Sequence, residues 1–183
     1  MLILGSTSLR RQELIAKLNI EFKIVKPNFD EDTLDINLDP LEYVTLNALS
    51  KAKSIEKDYP NDTILTADTI VVFEGEILNK PTSEAEAYLQ LKKLSNNEHM
   101  VYTACALIKD GKTETFYDAA KVYFNHMTDL DILDYINTGE PMDKAGSYGI
   151  QGEGAKYVKG FEGNFYTIMG LPLEMVKDKL GLK

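Results

Sequence analysis

The run from Thr63 to Phe73, Thr-Ile-Leu-Thr-Ala-Asp-Thr-Ile-Val-Val-Phe, constrains the chain more than any other segment. Its β-branched and aromatic residues read as one central strand. A single charge, Asp68, interrupts it. An ionised carboxylate in a buried strand is costly unless it is paired or bound to a metal. Asp68 therefore either caps a loop or faces outward, or it stands at a strand end or bulge facing a cleft. In the second case it holds a divalent cation or activates water.

The segments around this strand alternate in type. Met1 to Leu4 is a short buried strand, Gly5-Ser6-Thr7-Ser8 a polar loop, and Leu9 to Leu18 a helix capped by Ser8. Strand, small-residue loop and helix in succession aim backbone N–H groups at whatever lies above the strand. Phe22 to Lys26 is a second strand. A helix opens at Asp39-Pro40 and runs to about Lys57, with Tyr43, Leu46, Leu49 and Ala52 on one side. Gly75 marks a hairpin into Glu76 to Leu78, and Ser83 caps a helix to Leu94. His99 to Ile108 and Lys112 to Phe124 are strands joined by Asp110-Gly111. Asp129 caps a helix to Thr138, and Pro172 opens a last one over Leu173 to Leu180. Tyr157 to Val158 and Phe165 to Met169 read as short strands. The order of elements predicts an α/β fold with a sheet of mixed direction.

The 183 residues favour one domain or two fused lobes, long enough to bury a core without staples. A net charge of −9 argues against a broad basic footprint for nucleic acid or an anionic membrane, though not against a small phosphorylated ligand. The single cysteine, Cys105, lies in an apolar run and reads as a small buried hydrophobe, in keeping with a reducing compartment. The opening residues are too short for a signal h-region, and no apolar run approaches membrane-spanning length, so the expectation is a soluble cytoplasmic protein. His99 and His126 lack metal-ligand spacing and read as structural.

Four groups carry candidate chemistry. Ser6-Thr7-Ser8-Leu9-Arg10-Arg11 places two guanidiniums at a helix start, where the helix dipole favours anions. A phosphate there would make sense of them, although the loop has neither Walker spacing nor Rossmann glycines. Asp30-Glu31-Asp32 offers hard oxygen ligands of the kind Mg²⁺ takes. Lys51, Lys53 and Lys80 would each neutralise phosphate, although each taken alone reads as a surface lysine. Gly139 to Ala155 is rich in glycine and holds Asp143, Lys144 and Gln151. Such a loop either brings its backbone close to a ligand or is a glycine-rich Ω-loop with none. The Gln151 amide offers a donor and an acceptor to a base edge.

At this point the chain resembles the Maf-type nucleoside triphosphate pyrophosphatases over nearly its whole length. The resemblance rests on Ser6 to Arg11, Phe29-Asp30-Glu31, Ala67-Asp68-Thr69-Ile70-Val71, Asn79-Lys80-Pro81, Gly139-Glu140-Pro141 through Gly154, and Gly170-Leu171-Pro172-Leu173. Leu9 stands where the family has proline, and Asn96-Asn97 where it has Ser-Gly. The resemblance implies a mixed, strongly twisted, elongated sheet flanked by helices, of inosine-triphosphate-pyrophosphatase-like architecture, in one domain with two lobes around a central cleft. It implies hydrolysis of the α–β phosphoanhydride of a nucleoside triphosphate with a divalent cation, Mg²⁺ in the first instance and Mn²⁺ or Co²⁺ as alternatives. Asp68 falls on the general-base position, and Glu31 with Asp68 on the metal side. Arg10, Thr69 and Gln151 fall on positions that tune base choice. Thr69 and Gln151 match the branch acting on dTTP and UTP, against a branch favouring 7-methyl-GTP. Ser6, Ser8, Arg11, Lys51, Lys80, Asp143 and Lys144 fall on positions that line the site, their division between phosphate and metal contacts left open. A homodimer is also implied. The alternative to catalysis is a nucleotide-sensing regulator of cell division, with which the family has been associated.

Overall fold

A computed structural model describes residues 1–183. Seven strands form one open sheet: β1 (Leu2–Gly5), β2 (Phe22–Val25), β3 (Thr63–Phe73), β4 (Glu76–Leu78), β5 (Glu98–Lys109), β6 (Lys112–Phe124) and β7 (Val158–Glu162). Their spatial order is β2-β1-β3-β5-β6-β7, with β4 paired to β3. β1 runs parallel to β2 and β3, whereas β4 is antiparallel to β3 and β7 to β6. The sheet is mixed, as the order of elements predicts. The helices are α1 (Leu9–Ala16), α2 (Pro40–Glu56), α3 (Glu84–Leu94), α4 (Asp129–Asn137), α5 (Phe165–Met169) and α6 (Leu173–Leu180).

The chain divides into two compact units. The first comprises Met1–Thr69, Thr103–Asp118 and Gly170–Lys183; the second comprises Ile70–Tyr102 and Ala119–Met169. In the first, Ile3, Leu14, Val44, Ala48, Ile64 and Leu65 are wholly buried. In the second, Leu91, Leu94, Val122 and Ile132 are. Each fully buried Leu, Ile or Val contributes roughly 1.5–3 kcal/mol.

Local chemistry sets the element ends. Ser8, Asp39 and Ser83 accept the N-terminal amides of α1, α2 and α3. α4 is capped one residue before the expected Asp129: Thr128 and Asp131 form a reciprocal capping box, which makes Asp129 the first residue of the helix. Asp110 and Gly111 both have positive φ, the geometry of the tight hairpin between β5 and β6. Asn96 adopts φ 58°, which asparagine tolerates.

Other sequence expectations fail. Phe165–Met169 is a helix and not a strand. The Asn164 side chain accepts from the Tyr166 amide at 2.8 Å, and the Asn164 carbonyl accepts from Thr167 at 3.1 Å. That asparagine cap overrides the β-propensity of the aromatic and β-branched residues. The buried stripe of α2 keeps Tyr43 and Ala52 as expected but is otherwise displaced by about one position. Val44, Asn47, Ala48, Lys51, Ala52 and Ile55 face inward, while Leu46 and Leu49 are only half-buried.

Candidate active site

The first unit builds its polar cluster on three elements. β1 ends its pairing with β3 at Gly5 and Thr66. β3 continues beyond that point and carries Asp68 and Thr69 past the end of its neighbour. Asp68 thus lies within an unbroken strand, not at the strand end or bulge that its charge suggests, and the shortness of β1 leaves room beside it. It is buried, so it does not face outward as a solvated charge.

α2 supplies the partner. Gly5 lets the helix approach closely, since a Cβ there would meet Thr66 Cγ2 at 2.6 Å and Ile55 Cδ1 at 3.0 Å. Thr66 donates to the Ala48 carbonyl at 2.6 Å, tying strand to helix. One turn on, Lys51 points the same way. Its Nζ lies 2.8 Å from Asp68 Oδ1 and 2.5 Å from Glu31 Oε1. Lys51 is therefore a buried ammonium between two carboxylates, not the surface lysine it resembles taken alone. The misreading follows from the displaced stripe, because an inward face through Ala48 and Ala52 takes Lys51 with it. Each charge offsets the desolvation of the other, the condition under which buried ions are tolerated.

The acidic triplet does not act as a cage. Asp30 accepts from the Asp32 amide at 3.0 Å and caps the short 3-10 turn Glu31–Thr33. Of the three, Glu31 reaches Lys51. No group of three or more His, Cys, Asp or Glu converges closely enough to hold a metal by itself.

α1 brings the guanidinium. Ser6 is buried and accepts from the Ser8 amide at 3.2 Å; Ser8 accepts from the Arg11 amide at 3.5 Å. Arg11 then donates from Nε to the Gly170 carbonyl at 2.8 Å and from Nη2 to Thr69 Oγ1 at 3.0 Å. The Thr69 hydroxyl also pairs with that of buried Thr103 at 2.9 Å. Burial holds the Arg11 guanidinium below its usual value, with Asp68 pulling the other way, yet an arginine stays charged in proteins. The first turn of α1 holds no acidic residue. Arg10 is half-buried in that same turn. The structure thus brings together Ser6, Ser8, Arg11, Glu31, Lys51, Asp68 and Thr69. Thr103 and the Gly170 carbonyl escaped sequence reading. A threonine in an otherwise apolar strand was the signal for the first, and a backbone carbonyl gives none.

The remaining candidates belong to the second unit. Lys80 is exposed, in a loop held where Gln90 Nε2 donates to the Asn79 carbonyl at 3.0 Å. Lys144 Nζ pairs with Asp143 Oδ1 at 2.8 Å and donates to the Glu140 carbonyl at 3.2 Å. Gln151 is exposed, with extended backbone. Gly146 packs against Val71, and a Cβ there would lie 2.8 Å from Val71 Cγ2. His99 is buried, as its structural reading requires. Its Nε2 lies 2.6 Å from the Tyr148 hydroxyl, while Nδ1 has no partner. Burial lowers its pKa to about 4. Cys105 is buried as expected, and desolvation raises its pKa to about 12.

No helix is long and apolar enough to cross a membrane. The mixed open sheet flanked by helices falls in the fold class of the Staphylococcus aureus Ham1 protein. That likeness has a TM-score of 0.50 at 16% identity, over 86% of this chain and 79% of that one, and it concerns the fold alone. The Maf-like protein family model matches residues 1–181, and the chain belongs to that family. Its similar relatives include the dTTP/UTP pyrophosphatase of Acholeplasma laidlawii, 48% identical over 98% of this chain and 95% of the relative. Those of Geobacillus sp. and Halalkalibacterium halodurans are 44% and 46% identical, each over 94% of this chain and 92% and 90% of their own.

Proposed function

We propose that this chain is a nucleoside triphosphate pyrophosphatase that hydrolyses dTTP and UTP to the monophosphate and pyrophosphate. The single observation that carries the chemistry is the buried Lys51–Asp68–Glu31 cluster beside the Arg11–Thr69 pair. The names of relatives 44–48% identical over most of both chains support the substrate class.

Asp68 spends Oδ1 on Lys51, which leaves Oδ2 to take a proton from water. The water oxygen bonds to the α-phosphorus, and the bond from that phosphorus to the α–β bridging oxygen breaks, with pyrophosphate leaving. Arg11, fixed through Nε and Nη2, and the N-terminal amides of α1 favour the negative charge of the phosphates. Ser6 and Ser8 set the loop that presents those amides.

Asp68 and Glu31 fit a divalent cation. Both carboxylates converge on the Lys51 side chain and would together hold an ion such as Mg²⁺, which binds through one or two carboxylates with substrate phosphates completing its shell. When bound, such an ion would supply charge neutralisation on the phosphates. Mn²⁺ and Co²⁺ suit the same oxygen donors.

The family resemblance assigns Lys80, Asp143 and Lys144 to substrate binding and Arg10, Thr69 and Gln151 to base choice. It also carries a cytoplasmic homodimer. The reading is tested by pyrophosphate release from a nucleotide panel with and without Mg²⁺. dTTP and UTP should lead. A purine preference would remove the base assignment, and no release from any triphosphate would remove the enzyme.

A further inference from the structure

Glu140 has no part in the proposed chemistry, yet its carboxylate accepts more hydrogen bonds than any other in the second unit. Oε2 accepts from the Gly154 amide at 2.9 Å and from the Tyr135 hydroxyl; Oε1 accepts from the Glu153 amide at 3.1 Å. Tyr135 is 2% exposed. Its hydroxyl oxygen in turn accepts from the Gly149 amide at 3.2 Å. Burial, with the adjoining carboxylate, raises the phenol's pKa and keeps it the donor of this pair.

These bonds bracket a three-residue segment with Gln151 at its centre. Gly149 lies before Gln151, and Glu153 and Gly154 lie after it. Between them Gly152 turns the chain at φ +74° directly over the Glu140 carboxylate, where a Cβ would collide with Oε1. A Cβ at Gly154 would meet the Gly149 carbonyl oxygen at 2.5 Å and also strike the Tyr135 hydroxyl. The backbone on both sides of Gln151 is therefore fixed by two side chains, while the exposed Gln151 side chain makes no capping bond of its own.

We infer that Glu140 and Tyr135 are positioning residues for Gln151, a two-residue clamp that sets base selectivity without touching the base. This rests on the proposal that Gln151 reads the pyrimidine. A carboxylate is needed because three donors converge on its two oxygens. A carboxamide presents one oxygen and turns an NH₂ toward donors on the other side.

The test compares Glu140→Gln, Tyr135→Phe and Gln151→Ala with the wild-type chain. Steady-state kinetics are measured for dTTP, UTP, dCTP and dATP, dTTP affinity by calorimetry without metal, and amide exchange across residues 149–154. Each clamp variant should raise KM and Kd for dTTP about tenfold, with kcat changed less than threefold. Each should also reduce preference for dTTP over dCTP and dATP as Gln151→Ala does, and speed exchange at Gly149, Glu153 and Gly154. Tyr135→Phe keeps the ring and its packing, so it answers the question if Glu140→Gln does not fold. Wild-type selectivity in a folded Tyr135→Phe variant with faster exchange would overturn the clamp, as would unchanged exchange. Unchanged selectivity in Gln151→Ala would overturn it too while leaving the pyrophosphatase intact. Wild-type chain that binds dTTP without releasing pyrophosphate would defeat the enzyme reading instead, and the calorimetric comparison would still decide the clamp.

Discussion

The guanidinium of Arg11 donates to the hydroxyl of Thr69 at 3.0 Å, joining the first turn of α1 to the strand residue beside Asp68. The same group reaches the Gly170 carbonyl through Nε at 2.8 Å. A lysine has one nitrogen and cannot span two acceptors in this fork. Arg11→Lys should keep the charge but lose the geometry. Its kcat/KM for dTTP should fall about a hundredfold, and stability should drop by about 1–3 kcal/mol as a buried acceptor loses its donor.

Asp68→Asn should lower kcat by at least about a hundredfold, the usual scale for a general base. The substitution is nearly isosteric, and dTTP binding measured by calorimetry should change far less. Wild-type turnover in this variant would show that another group takes the proton.

Lys51 and Asp68 are each 9% exposed at the side chain; removing Lys51 strands the Asp68 carboxylate, whereas Lys51 without Asp68 still keeps Glu31. Lys51→Met should cost on the order of 3 kcal/mol in urea denaturation. Combining it with Asp68→Asn should restore most of that stability and none of the activity, since the stranded charge is gone with the base.

His99 gives a pH dependence. Its folded pKa is lowered to about 4 by burial, against 6.5 unfolded. Between those values the unfolded chain binds a proton that the native chain refuses, so stability is full above pH 6.5 and is lost as the pH falls toward 4. The loss from this one group is on the order of 3 kcal/mol. His99→Gln keeps a polar partner for Tyr148 and should flatten the melting temperature over that range.

Cys105 should resist thiol reagents in the native state. Its thiol is buried, and its pKa is raised to about 12, so almost no thiolate exists at neutral pH. Labelling should appear only with denaturant, at the rate of global unfolding.

Much of the fold could be read from the chain because its signals are local. The caps at Ser8 and Ser83, the Asp110-Gly111 turn and the β-branched run of β3 act within a few residues. The strand assigned to Phe165–Met169 failed because one side chain, Asn164, outweighed five residues of propensity. In the site, Asp68 stood out because a charge inside an apolar strand is conspicuous. Lys51 did not, because whether a lysine is buried depends on which helical face turns inward. Leu46 and Leu49 gave a plausible stripe that packing did not choose. Glu140 was visible only as part of a motif, since its partners are backbone amides and a phenol that no spacing rule connects.

The Arg11–Gly170 hydrogen bond spans 159 positions of sequence. The first unit is likewise assembled from Met1–Thr69, Thr103–Asp118 and Gly170–Lys183, with the second unit's segments interleaved. During synthesis α1 and β3 leave the ribosome well before the carbonyl that fixes Arg11 exists. A nascent chain halted before Gly170 can hold Asp68 and Lys51 yet lacks one of Arg11's two anchors. The two-point anchoring of the Arg11 guanidinium is therefore completed late in translation, only once the last segment of the first unit has been made.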